Sequence, residues 1–299
     1  MVNYDCIIVG GGIAGIQAAI QLGRYQHHVL VIDSTTPARS NLCRCYHNLL
    51  GWPEGVSGQT LRDIGTKQAK DLGVKFANET VESVENYDDL FIANTERTSY
   101  KGKRILFATG VIDRLPLFDQ IYPCLGTSVY ICPDCDGYEI KDEKALILGS
   151  GEVGVDMALT LSYWSNELTY INHEQKQVKE GLLDKLEEKG IAYVSEPIKE
   201  VLKTEDAFNG VILHNGETYM ANHAFVAFGN NQINSTLASE IGVELHKNKH
   251  ILVNPRTQMT NIEYVWAAGD VVAHSEQVTI AMGDGMQAAI WIHKTLMET

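Results

Sequence analysis

Cys6-Ile7-Ile8-Val9-Gly10-Gly11-Gly12-Ile13-Ala14-Gly15-Ile16-Gln17-Ala18-Ala19-Ile20-Gln21-Leu22 is the stretch on which the fold turns. A short apolar run leads into glycines spaced GxGxxG, and the residues that follow have the periodicity of a helix. In such a turn the first glycine permits a tight bend, the second lets a pyrophosphate approach the backbone, and the third lets the helix pack close to the strand. The helix N-terminus then faces the phosphate charge. The next apolar run, Val29-Leu30-Val31-Ile32, ends at Asp33. That acid falls about 20 residues past the turn, where a dinucleotide fold bonds a ribose hydroxyl. Gly10, Gly12, Ala14, Gly15 and Asp33 are therefore candidates for holding a dinucleotide.

Working outward, the same architecture recurs. Ala145-Leu146-Ile147-Leu148 leads into Gly149-Ser150-Gly151-Glu152-Val153-Gly154, then a helical run from Val155 to Leu161 and the strand-like Leu168-Thr169-Tyr170-Ile171. Repetition of one supersecondary unit predicts an α/β fold with two Rossmann-like nucleotide-binding domains built on parallel sheets. Gly149, Gly151 and Gly154 are candidates for a pyridine nucleotide, NADH or NADPH, although the loop can equally preserve the fold with no nucleotide bound. Strand-like runs also end at Gly110 and Gly229, and helical spacing from Thr279 to Met297 predicts a closing helix packed on the first domain.

A chain of 299 residues, 44% hydrophobic and 21% charged, suits two ordinary globular domains. Its formal net charge of -14 repels a nucleic-acid backbone and an anionic membrane surface alike. No apolar run approaches the roughly 18 residues needed to span a bilayer, and the N-terminus lacks the pattern of a signal peptide. The expectation is a cytoplasmic protein with neither nucleic acid nor membrane as partner.

Of six cysteines, Cys132 and Cys135 carry the clearest chemistry, in Cys132-Pro133-Asp134-Cys135-Asp136-Gly137. A CxxC brings two thiols within reach of a disulfide across one turn, and its neighbours tune which thiolate is the more stable. Half of a zinc site would need a second ligand pair, and none is evident, so no metal is expected. Asp136, beside the second cysteine, is placed to act as general acid if burial raises its pKa. Asp134 reads as a solvated turn residue. Cys43 and Cys45 are one residue too close for the same motif, and a second redox couple or a ligand pair stays open for them. Cys6 and Cys124 read as packed or unreactive thiols.

These residues together resemble bacterial thioredoxin reductase of the low-molecular-weight type. The ordered set is Gly10-x-Gly12-x-x-Gly15, Ala108-Thr109-Gly110, Cys132-x-x-Cys135-Asp136-Gly137, Gly149-x-Gly151-x-x-Gly154 and Ala267-Ala268-Gly269-Asp270, with Asn48-x-x-Gly51-Trp52-Pro53-Glu54-Gly55 beside it. The resemblance implies an FAD domain of two segments, 1–115 and 243–299, with a pyridine-nucleotide-type domain, 116–242, inserted between them and carrying the CxxC. It also implies a homodimer, and a swivel that alternates which group faces the flavin. Gly10, Gly12, Gly15 and Asp33 would hold the FAD pyrophosphate and ribose, Asn48 would lie near the flavin, and Asp270 would bond the ribityl or pyrophosphate region. Gln277 and Val278 would lie near the ring. The implied activity is FAD-dependent disulfide oxidoreduction, in which electrons pass through FAD to Cys132 and Cys135 and on to a thioredoxin-like protein or another disulfide.

Three departures narrow this expectation. Where NADPH-dependent members carry a His-Arg-Arg cluster, this chain reads Asn172-His173-Glu174-Gln175. Glu174 would repel the charge of roughly -1.5 to -2 on an adenosine 2′-phosphate, which disfavours NADPH and leaves NADH or another donor such as reduced ferredoxin. The near-terminal Glu276-Gln277-Val278 differs from the family's Arg-Gln-Ala, which weakens thioredoxin itself as partner. Pro133-Asp134 inside the CxxC resembles dithiol oxidases, so oxidation of a dithiol by oxygen is the main alternative, and a flavin redox sensor the second.

Overall fold

The computed structural model describes residues 3–34, 36–87 and 90–298, and their contacts divide the chain into two compact units. The first comprises residues 1–41, 59–112 and 232–299; the second comprises 42–58 and 113–231. Residues 42–58 thus group with the second unit. Within it the Arg44 amide donates to the Leu125 carbonyl at 3.0 Å, and Tyr46 forms an antiparallel bridge with Val56. Residues 232–242 group with the first unit, where Gln232–Ile233 pairs antiparallel with Val111–Ile112.

In the first unit the strand Asn3–Val9 lies between Val29–Asp33 and Ser99–Phe107, parallel to both. Lys75–Asn78 extends the sheet beyond Val29–Asp33, and Val265–Ala267 also runs parallel to Ser99–Phe107. Cys6, Ile8, Val29, Val31 and Leu106 face one layer with the helices Ile13–Arg24 and Val278–Met297, while Ile7, Leu30, Ile32, Ile105 and Phe107 face the other. The alternation follows from the two-residue period of a strand buried on both faces. The two helices pack closely because Gly285 lies against the backbone of Ala14, where an added Cβ would meet the carbonyl oxygen at 2.2 Å. Arg104 is buried, with its guanidinium over the Tyr264 ring at 3.7 Å and its Nε donating to Thr295 Oγ1 at 2.9 Å.

The second unit repeats the scheme. Its sheet runs Ala192–Val194, Leu168–Asn172, Ala145–Gly149, His223–Ala227 and Val129–Tyr130, parallel throughout. The helix Gly151–Leu161 leaves the glycine loop directly, and a three-stranded antiparallel ribbon, Ile198–Thr204, Ala207–Leu213 and Thr218–Met220, packs beside the sheet. Two Rossmann-like units are the expected fold class. No helix among the described residues is long and apolar enough to cross a membrane.

Candidate active site

Cys132 sits in extended backbone just ahead of a single helical turn, Pro133–Asp136, and proline at the first helical position suits a site whose amide would have no intrahelical partner. The amides of Cys135 and Asp136 both donate to the Cys132 carbonyl, at 3.3 and 3.1 Å. This turn draws the two thiols together. A hydrogen bond from the Cys135 thiol holds the Cys132 pKa below the ordinary thiol value, against the opposing effect of burial and of Asp136 and Asp134. Asp136 moves the other way: burial, with Glu139 nearby, pushes its carboxyl up to about 7. Gly137 is required by packing, since a Cβ there would lie 2.7 Å from the Trp164 ring. Asp134 is exposed, as a solvated turn residue should be.

The Cys43-Arg44-Cys45 segment belongs to this same unit. Cys43 Sγ donates to the Cys45 carbonyl at 3.2 Å, and burial, with the charge of Asp136, pushes the Cys43 thiol up to about 12. Cys45 is raised too, by burial and then by Glu139. All six cysteines are thiols, and among the described residues no cluster of histidine, cysteine and carboxylate side chains has metal-binding geometry. Cys6 is fully buried, which raises its pKa strongly, and Cys124 is buried as well.

The first glycine loop has the shape a dinucleotide needs. Gly10 has φ +106°, and a Cβ there would come within 2.3 Å of the Ala108 carbonyl oxygen, so only glycine fits. Beside Gly12 there is open space, the nearest atom to an added Cβ being Arg62 Nη1 at 3.9 Å. The helix beginning at Ile13 has no side-chain cap, leaving its positive end for a phosphate. Asp33 accepts from the Gly11 amide at 2.8 Å and pairs with Arg62 at 2.7 Å. A cavity of about 350 Å³ adjoins it, lined by Ser34, Thr36, Pro37, Asn41, Arg62 and Asn78. Arg62 has no motif to reveal it in sequence.

The remaining expected flavin residues of this unit are Gly110, Gly269, Asp270, Gln277 and Val278. Gly110 is clamped through Asn234, whose amide donates to its carbonyl at 3.1 Å. Gly269 donates to Asp284 Oδ2 at 3.0 Å, and the same oxygen lies 2.7 Å from His274 Nε2. That carboxylate raises the His274 pKa. Arg39 bridges Asp270 and Glu276 at 2.8 and 2.6 Å. Gln277 and Val278 open the closing helix. Asn48 is exposed and lies in the 42–58 segment of the second unit.

The second glycine loop is built differently. Gly154 packs under Tyr170, whose ring a Cβ would meet at 2.2 Å, and the Tyr170 hydroxyl donates to the Gly151 carbonyl at 2.7 Å. Gly149 lies close to the Ala227 carbonyl, whose oxygen an added Cβ would meet at 2.7 Å. Asn172, fully buried, accepts from the Gly151 amide at 2.9 Å. Glu174 accepts from the Ser150 hydroxyl at 2.6 Å and pairs with Lys176 at 2.8 Å and with Arg114. Those partners, Lys176 first, hold its carboxyl down at about 2. Arg114 is 60 residues away in sequence, and the charge at Glu174 is matched by two cations that the local sequence pattern does not reveal.

Comparison with known proteins adds the wider context. A family model described as pyridine nucleotide-disulphide oxidoreductase matches residues 4–285. A thioredoxin reductase of Rickettsia bellii is 28% identical over 308 residues, covering 99% of each chain. One of Treponema pallidum is 29% identical, covering 96% of this chain and 95% of its own. The crystal structure of thioredoxin reductase from Streptococcus pyogenes superposes with a TM-score of 0.88 at 22% identity, covering 99% of both chains, a likeness of fold.

Proposed function

The chain belongs to the pyridine nucleotide-disulphide oxidoreductase family and is an FAD-dependent disulfide oxidoreductase of the thioredoxin-reductase type, and from that premise we propose that Cys132 and Cys135 are its working dithiol and Asp136 their proton carrier. The observation that carries this reading is the opposed pair of shifts within one turn of chain: a thiol lowered at Cys132 and a carboxyl raised to about 7 at Asp136.

FAD, when bound, supplies the two electrons that reopen the Cys132–Cys135 disulfide. Gly10, Gly12, Ala14 and Gly15 would hold its pyrophosphate and Asp33 its adenosine ribose, with Gly110, Gly269, Asp270, Gln277 and Val278 along the rest of the cofactor and Asn48 near the flavin. In the dithiol state the Cys132 thiolate attacks one sulfur of the partner disulfide, forming a mixed disulfide. The departing sulfur takes the proton held by Asp136. The Asp136 carboxylate then removes the Cys135 proton, and the new thiolate attacks Cys132 Sγ. The partner's second sulfur leaves as thiolate, and Cys132 and Cys135 are joined.

The acceptor in this reading is a thioredoxin-like protein or a small disulfide. The enzyme works as a cytoplasmic homodimer, and its electron donor is something other than NADPH at the second glycine loop. Anaerobic bleaching of the flavin absorbance by NADPH, NADH and reduced ferredoxin in turn tests the donor; rapid bleaching by NADPH would refute that part. A second reading, oxidation of a dithiol with oxygen reduced to peroxide, is favoured by the tied-up state of Glu174 and by Pro133 in the CxxC. It loses its support if no peroxide accumulates when the holoenzyme, air and assorted dithiols are mixed.

A further inference from the structure

The two glycine loops of this chain differ in how their own side chains use them. In the first, Asp33 ends the strand Val29–Asp33, accepts from the loop amide of Gly11, and pairs with Arg62, which lines the adjoining cavity. In the second, the corresponding strand end is Asn172, register-paired with Gly149. It is neutral and fully buried, and its amide group is already spent: Nδ2 donates to the Lys176 carbonyl at 2.7 Å and to the Tyr193 hydroxyl at 3.0 Å, while Oδ1 takes the Gly151 amide. Full burial of Asn172 keeps a ribose hydroxyl from reaching it.

The next carboxylate along, Glu174, is turned onto the loop itself. Its Oε2 accepts from Ser150, the residue between the first two loop glycines, and from Lys176, while Oε1 pairs with Arg114. Arg114 is fixed in turn by a bond from Nη1 to the Phe228 carbonyl at 3.3 Å. A hydroxyl donor on a glycine loop with two flanking cations is an arrangement suited to an anion. Here the chain supplies the anion. We propose that Glu174 is the specificity-determining residue of the second glycine loop, an internal carboxylate that occupies the charge site a dinucleotide phosphate would use and so bars NADPH and NADH from it. The inference rests on the reading that electrons reach the flavin by another route, and it gives that route a structural cause.

Removing the carboxylate leaves Arg114 and Lys176 beside Ser150 with their mutual partner gone. The gain should then be larger for the nucleotide with the extra phosphate. The test uses the FAD-loaded protein and the oxidised nucleotides NADP+ and NAD+, titrated calorimetrically so that binding is read without turnover. Glu174→Ala is expected to bind NADP+ at least tenfold more tightly than the parent chain, with a smaller gain for NAD+. Glu174→Gln, which keeps an acceptor for Ser150 without the charge, should fall between them and serves if the alanine variant folds poorly. Equal affinities in parent and both variants would overturn the proposal, as would micromolar binding of NADP+ by the parent chain. Failure of the donor reading is seen separately, as rapid anaerobic bleaching of the flavin of the parent chain by NADPH or NADH.

Discussion

The Asp136 amide donates to the Cys132 carbonyl oxygen at 3.1 Å, so Asp136, the proposed proton carrier, is joined to Cys135 by a peptide bond and to Cys132 by a hydrogen bond. Small motions of the turn therefore carry all three groups together. Burial lifts the Asp136 carboxyl from 3.8 to about 7, so it holds its proton up to about neutral pH. Disulfide reduction should fall on the alkaline side of about pH 7 as that proton is lost. Asp136→Asn should lower turnover roughly 100-fold and flatten that limb. The sign for stability is the same: between about pH 4 and 7 the folded state holds a proton that the unfolded state has released, so folding weakens as pH rises through this window. Thermal melts of the two proteins should show the asparagine variant gaining on the parent from pH 5 to pH 8.

Thiol reactivity should follow the same electrostatics. Cys132 is lowered by its bond from Cys135, whereas Cys43 is pushed to about 12 and Cys6 is raised behind full burial. Brief iodoacetamide treatment of the reduced protein at pH 7, read by peptide mass spectrometry, should label Cys132 first and leave Cys43 and Cys6 unmodified, since the thiolate is the reacting form. Prior labelling of Cys43 would overturn the order and bring the Cys43/Cys45 pair into the redox chemistry.

Local features were the legible part of this protein. Both glycine loops, the strand ending at Asp33, the CxxC and the closing helix are patterns confined to a few neighbouring residues, and the parallel strand pairs at the glycine loops of both units follow from them. Pairings between distant residues had no such signal. Arg62 on Asp33, Arg114 on Glu174 and Asp284 on His274 are 29, 60 and 10 residues apart, and ordinary charged residues carry no mark of which partner they will meet. Glu174 shows the consequence: read alone it is a repulsive charge, and read with Arg114, Lys176 and Ser150 it is a fixed member of the loop. The grouping of residues 42–58 with the second unit is likewise made by long-range backbone bonds such as Arg44 to Leu125.

Packing behind the dithiol is testable through Gly137. An added Cβ would lie 2.7 Å from the Trp164 ring, too close for any real contact, so the ring or the turn must shift. Gly137→Ala should cost about 1–3 kcal/mol, the usual range for overpacking, seen as a lowered melting temperature. Trp164→Leu in the same chain relieves the clash and should recover part of the loss of the single variant. A melt unchanged by Gly137→Ala would mean that the turn tolerates movement and that the glycine serves some other end.

Flavin retention should depend on Asp33 through two separate contacts. Its carboxylate takes the Gly11 amide, which sets the loop, and the Arg62 guanidinium, whose side chain is only 13% exposed. Asp33→Ala breaks both and leaves a largely buried cation without its carboxylate, while removing the acceptor proposed for the ribose. Hydrogen bonds to charged groups contribute about 1.5–3 kcal/mol, so the alanine variant should lose roughly 10- to 100-fold in FAD affinity, followed as recovery of flavin fluorescence on dissociation. Asp33→Asn keeps an oxygen for Gly11 and loses the charge facing Arg62, and should lose less. Should Asp33→Ala hold FAD as tightly as the parent chain, the ribose would have to be bound by other groups of the adjoining cavity, whose wall offers Ser34, Thr36, Asn41 and Asn78 as acceptors.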